Sequence, residues 1–254
     1  MIKLQFSFEH IEAIVIPLIV VITLVLFCLL KSTWRRYTLW RWKSRLRLKD
    51  HLRALDHIST TINGFQLSRK SRINSDAFEY VYGEIDSTSL VALLSLTQPN
   101  PSTIFYDLGS GVGKAVLMCA MTFDVKKACG IELFPLLHQA AQQQLESLNT
   151  EPDYYRTAKK IEFICGDFLH VDFSDATVIF ISATGLFGDT WIALNQHLEQ
   201  LPSAPMIITT TKKLLSSKFK LHHTTRVQMS WGIVNAYIQQ RIDSQGTPGY
   251  AGAI

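Results

Sequence analysis

The chain has 254 residues, 47% of them hydrophobic and 18% charged. That balance excludes a disordered chain and suits one folded domain with an appendage. The formal net charge of +4 is uneven: nine basic residues lie between Lys31 and Arg53, opposed only by Asp50, and the remainder is acidic on balance. Four cysteines, Cys28, Cys119, Cys129 and Cys165, form no CxxC pair and lie in apolar stretches. Buried free thiols are expected, with neither a disulfide framework nor a metal site.

The first element is an uncharged run from Ala13 to Leu30, AIVIPLIVVITLVLFCLL. As a helix it rises about 27 Å, close to the roughly 30 Å of a bilayer's hydrocarbon core. Pro17 falls near the helix start, where a missing N–H costs least. A cleaved signal peptide would need a positive leader and a shorter apolar core. Here Lys3 is outweighed by Glu9 and Glu12, and Lys-Ser-Thr-Trp-Arg-Arg follows the run, which reads as a retained anchor. The basic flank predicts that residues 1–12 lie outside and everything after residue 31 inside, in the cytoplasm. Residues 31–75 read as a basic, helical juxtamembrane linker. Trp34, Tyr37, Trp40 and Trp42 are interleaved with its charges. Anionic lipid headgroups and a nucleic acid or acidic protein are competing partners, and proximity to the apolar run favours lipid over residues 31–53.

Residues 76–243 read as the catalytic domain and 244–254 as a flexible tail. Ser102 to Tyr106 predicts a short buried strand running into Asp107-Leu108-Gly109-Ser110-Gly111-Val112-Gly113, and Lys114 to Phe123 predicts an apolar helix. Strand, Gly-rich turn and helix open a doubly wound α/β domain. A dinucleotide fingerprint would put its third glycine at 114, where the chain has Lys. The pattern DxGxGxG instead resembles motif I of class I S-adenosylmethionine (SAM)-dependent methyltransferases. Glu132 ends the next predicted strand, at the spacing of an acid that accepts ribose hydroxyls. A helix from Pro135 to Leu148 follows. A third strand from Ile161 leads to Asp167 and Phe168, placed for the adenine amino group and ring. Strand Thr177–Ile181, helix Thr190–Leu201 and strand Pro205–Thr210 continue the alternation. The segments Phe219–Gln228 and Gly232–Arg241 look like an antiparallel pair. The expected fold is therefore a Rossmann-like, class I methyltransferase sheet closed by a C-terminal hairpin and preceded by one transmembrane helix.

Four stretches together resemble the DOT1-like lysine methyltransferases: Tyr82-Gly83-Glu84, DLGSGVGK at 107–114, GDFL at 166–169, and Ser230-Trp231. The resemblance implies SAM as cofactor, with Gly113 completing the binding loop and Asp107, Gly109 and Gly111 at the methionine moiety. It implies Glu132 at the ribose and Asp167 with Phe168 at the adenine. Tyr82 and Glu84 would lie on a loop that closes over SAM and lines a lysine channel. Two departures stand out. Ser182-Ala183-Thr184 replaces an Asn-Asn-Phe-like stretch in the family's substrate channel, and Lys114 replaces a usual Gln. The expected acceptor is a protein lysine, with a membrane protein as one possible substrate. A methyltransferase of lipid or quinone-like small molecules and a non-catalytic SAM-binding membrane protein remain as rivals. Lys212 and Lys213, after a strand end, face either the cleft or solvent.

Overall fold

The computed structural model describes residues 8–72 and 82–242, with side chains from Val15 onward in the first stretch. The first seven residues, the domain's expected opening at 76–81, and the expected flexible tail lie outside the described residues. The chain divides into two compact units, residues 1–49 and 50–254.

In the first unit a single helix, α1 (Phe8–Arg45), carries the uncharged run and much of the basic segment. Its most apolar stretch has a mean hydropathy of 2.6, and none of that stretch is buried against protein. It is long and apolar enough to cross a membrane. Trp34, Tyr37 and Trp40 are exposed and follow one another at helical spacing, with ring centroids 6.3 and 6.0 Å apart.

In the second unit, residues 50–72 pack on the sheet-bearing body, upstream of the expected domain start at 76. They include the rest of α2 (Leu48–Ile58) and α3 (Gly64–Ser71). His51 is buried and Nδ1 lies 2.8 Å from the Tyr154 hydroxyl. Helix α4 (Ser87–Leu96) is capped by Asp86, whose carboxylate accepts from the Ser89 N–H.

The sheet follows as expected, with ends shifted by a residue or two. Strands β1 (Ile104–Leu108), β2 (Lys127–Glu132), β3 (Ile161–Cys165), β4 (Val178–Ile181) and β5 (Met206–Thr210) are parallel. Strands β6 (Phe219–Met229) and β7 (Gly232–Arg241) form the antiparallel hairpin, and β7 pairs with β5. The spatial order is β3-β2-β1-β4-β5-β7-β6. Central β1, β2 and β4 are almost wholly buried, as parallel strands covered on both faces must be. Helices α5 (Lys114–Thr122), α6 (Pro135–Thr150), the short α7 (Tyr155–Ala158) and α8 (Gly188–Gln200) make the crossovers. The strand order switches between β1 and β4, the chain winding outward from β1 to β3 and then outward the other way from β4, so the loops leaving the C-terminal ends of these two parallel strands diverge and open a crevice.

One expectation fails at the sheet edge. Cys119 and Cys129 are buried, but Cys165 is exposed at the end of edge strand β3, and Cys28 is exposed on α1. Position on an edge strand and on the exposed length of α1, not residue type, decides their exposure.

Candidate active site

The crevice holds a cavity of about 230 Å³. Its floor is built by the strand ends. Asp107, at the end of β1, is 3% exposed, and Glu132, at the end of β2, is 6% exposed. The Glu132 carboxylate accepts from the Gly111 N–H and the Phe134 N–H, both at 2.8 Å. It thus ties the Gly-rich loop to the turn after β2. Burial, and then the neighbouring Glu132 charge, push the Asp107 carboxyl up to about 8. Burial also raises Glu132, against the lowering effect of its backbone donors.

The loop between β1 and α5 adopts left-handed backbone at Gly109 and Gly113, both at φ +86°. The two glycines serve different surroundings. A Cβ at Gly109 would meet nothing within 4 Å, and Gly109 lines the cavity. A Cβ at Gly113 would meet Phe163 Cζ at 2.4 Å and Ala141 Cβ at 3.1 Å. Gly113 lies outside the cavity lining, and its missing side chain lets α5 pack close to β3 and α6. Asp107, Gly109, Gly111, Glu132, Asp167 and Phe168 all line the cavity. Asp167 sits just beyond β3, one oxygen accepting from the Leu169 N–H and the other 3.4 Å from His170 Nδ1.

The roof is the segment 82–86. Tyr82 packs against Gly111 from above, close enough that a Cβ there would lie 2.8 Å from its ring. Its ring also meets Phe65 edge-on at a centroid distance of 5.2 Å. The Tyr82 hydroxyl donates to Glu84 Oε1 at 2.6 Å. Burial foremost, and then Glu84, raise the Tyr82 hydroxyl far above its usual range. The other Glu84 oxygen receives Lys114 Nζ at 2.7 Å. The segment is anchored at its far side by the hairpin turn. Glu84 N–H donates to Ser230 Oγ, Ser230 N–H donates to the Glu84 carbonyl at 2.8 Å, and the Trp231 ring lies against Gly83. Asp86 N–H donates to the Gln228 carbonyl. The Tyr-Gly-Glu and Ser-Trp stretches, nearly 150 residues apart, are therefore one roof.

On the remaining wall, Ser182, Gly185 and Leu186 line the cavity with Phe180 and Leu90. Ala183 is fully buried, and Thr184 turns to bond Thr211 at 2.8 Å, so only Ser182 of the Ser-Ala-Thr stretch reaches the cavity. Lys212 does not line it. Its ammonium donates to the Leu186 carbonyl and lies 3.5 Å from the Phe187 ring centroid, and burial lowers its pKa. Lys213 lies over Tyr237.

Two supporting residues escaped the sequence reading. Lys114 was noted as a departure, but not its ion pair with Glu84. Gln144 is fully buried in α6, where it donates to the Val112 carbonyl of the loop and accepts from Ser59, both at 2.6 Å. The spacing of Leu137, Ala141, Gln144 and Leu148 on one helical face could have placed it inward.

The donor set suits SAM. Buried carboxyl groups at two strand ends answer an ammonium and ribose hydroxyls, and the open space over Gly109 admits a close ligand. The sheet order and this crevice define the chain's class by fold, the seven-strand Rossmann-like type shared with a solved methyltransferase. Residues 69–237 match the model of the family described as histone methylation protein DOT1, and the chain belongs to that family. It is 32% identical over 143 residues to the histone-lysine N-methyltransferase, H3 lysine-79 specific, of Caenorhabditis elegans, covering 54% of this chain and 15% of the relative. It is 30% identical over 87 residues to a protein-lysine N-methyltransferase of Saccharolobus islandicus, covering 34% of this chain and 50% of that one. The chain thus matches half or less of the length of these relatives. Among solved structures, an RNA methyltransferase from Salinibacter ruber in complex with S-adenosyl-L-homocysteine shares the fold. It does so with a TM-score of 0.50 and 22% identity, over 66% of this chain and 98% of that one.

Proposed function

We propose that the chain is a membrane-anchored, SAM-dependent methyltransferase that transfers a methyl group to a protein lysine. The observation that carries this reading is the roof. Tyr82 and Glu84 hang over the same cavity whose floor is Asp107 and Glu132, which puts an amine-seeking carboxylate opposite the cofactor cradle.

Bound SAM supplies an electrophilic methyl group on a sulfonium, open to in-line attack. The chain's residues hold, orient and dry the site. Asp107 faces the amino acid end, Gly109 and Gly111 give the backbone close approach, Glu132 receives the ribose, and Asp167 with Phe168 receives the adenine. Glu84, steadied by the Tyr82 hydroxyl, orients the incoming amine. A free lysine has a pKa near 10.4 and must lose its proton to attack. The apolar wall of Leu90, Phe180 and Leu186 desolvates the ammonium and favours the neutral amine. The relatives named as lysine N-methyltransferases support the acceptor class.

The exposed, uncharged length of α1 supports a single span, with the basic flank on the cytoplasmic side. Exposed Trp34, Tyr37 and Trp40 among Lys and Arg suit headgroup depth and anionic lipid. The same apolar wall favours one second reading, methyl transfer to a lipid or quinone-like acceptor.

Transfer of label from methyl-tritiated SAM into membrane and soluble fractions of the native host tests both, with Asp107→Ala as control. Base-stable label in a discrete protein band, lost in the control, is expected. Label confined to the organic-extractable phase refutes the lysine reading and supports the second.

A further inference from the structure

Five acidic or basic side chains line the cavity among the described residues: Glu84, Asp107, Glu132, Asp167 and Lys114. Four are carboxylates, so Lys114 is the sole cation among them. It stands at the first position of α5, following the Gly113 cap, where the helix's free N–H groups and dipole also favour negative charge. Its ammonium is 2.7 Å from Glu84, on the roof. Glu84 in turn has its other oxygen on the Tyr82 hydroxyl. The carboxylate best placed for an acceptor amine is therefore already engaged by an internal one.

SAM brings one carboxylate, on its amino acid end. The four carboxyl groups of the lining offer it no cation, and the positive partners in reach are Lys114 and the α5 N-terminus. We propose that Lys114 is a positioning residue that exchanges partners. The cofactor's α-carboxylate takes Lys114, and Glu84, released from it, becomes available to the acceptor amine. A lysine at this position thereby sets an order, cofactor first and acceptor second. This inference rests on the SAM reading of the cavity.

The test compares two ligands by calorimetry on the full chain in detergent: S-adenosylhomocysteine, and methylthioadenosine, which lacks the amino acid end. The readout is the ratio of their affinities, in which a general loosening of the roof cancels. Lys114→Gln should lower the ratio about tenfold, the size of one lost charge-assisted hydrogen bond. Lys114→Arg should retain it. Glu84→Gln should raise the ratio, because the competitor for Lys114 has lost its charge. An unchanged ratio in Lys114→Gln, or a ratio in Glu84→Gln that stays level or falls, overturns the exchange. Wild-type chain that binds neither ligand overturns the cofactor reading itself. Binding of both, with no preference that depends on Lys114, overturns only the exchange.

Discussion

Gly109 and Gly113 occupy the same loop at the same φ of +86°, yet they face different surroundings, and substituting each by Ala separates binding from packing. Either change forces an L-residue into left-handed backbone, at a cost of about 1–2 kcal/mol. That cost is common to both variants and cancels between them. At Gly113 the new Cβ also meets Phe163 at 2.4 Å, an approach that requires α5 or β3 to shift. Overpacking of this kind costs roughly 1–3 kcal/mol. Gly113→Ala should therefore be less stable than Gly109→Ala by about that amount, or a further 2–12 °C in melting temperature for a domain of this size. Gly109→Ala should keep most of its stability but lose cofactor affinity, because its Cβ projects into space that a ligand would fill. Thermal unfolding and S-adenosylhomocysteine titration of both variants measure the two effects. Equal melting temperatures would refute the packing argument, and undiminished affinity in Gly109→Ala would refute the cradle.

Asp107, held near 8 by burial, keeps its proton in the folded chain across a range where an unfolded aspartate, at 3.8, has lost it. The folded state then binds more protons than the unfolded one, so stability should fall as pH rises from about 4 through 8. A cationic ligand favours the ionised form, so SAM affinity should rise over the upper part of that window. Asp107→Asn should flatten both profiles, and a variant as pH-dependent as the wild type would count against this assignment. Gln144→Leu should cost about 1–3 kcal/mol by stranding the Val112 carbonyl and the Ser59 hydroxyl; chemical denaturation reads it, and a change below 0.5 kcal/mol, about the scatter of neutral substitutions, would argue that water replaces the bonds. Val21→Lys, within the uncharged run, should cost about 2.5–3.5 kcal/mol of membrane insertion. Its carbonate-resistant fraction should drop, and an unchanged fraction would speak against a span.

The alternation of strand and helix was readable because parallel strands buried on both faces, such as Phe105 to Leu108, leave almost unbroken apolar runs between Gly-rich turns. The floor of the cavity was readable for the same reason: Asp107, Glu132 and Asp167 are the polar residues that end or follow those runs. What pairing brings together across the chain was less legible. The motif at 82–84 and the Ser230-Trp231 turn were each visible, but not that the turn's backbone holds the motif in place. Lys114 reads as an odd residue after a glycine loop until Glu84 is seen opposite it. Gly113 shares its spacing with Gly109 and Gly111, and only the position of Phe163 assigns it to packing. Helices α2 and α3 looked like linker because their sequence is polar on balance, yet α2 buries Leu55 and Ile58 beside His51, a face too short to stand out among the charges, and α3 buries only Gly64 and Ser68.

The clasp of Ser230 and Trp231 on Gly83 and Glu84 has a consequence for the newly made chain. Strands β1 to β5, the loop and both floor carboxylates are complete by Thr210, so a nascent polypeptide can assemble the cradle while its last hairpin is still unmade. The roof, although encoded early, finds its anchor only when β6 has turned into β7. The roof is thus the one wall of the site whose hold depends on the β6–β7 turn being in place.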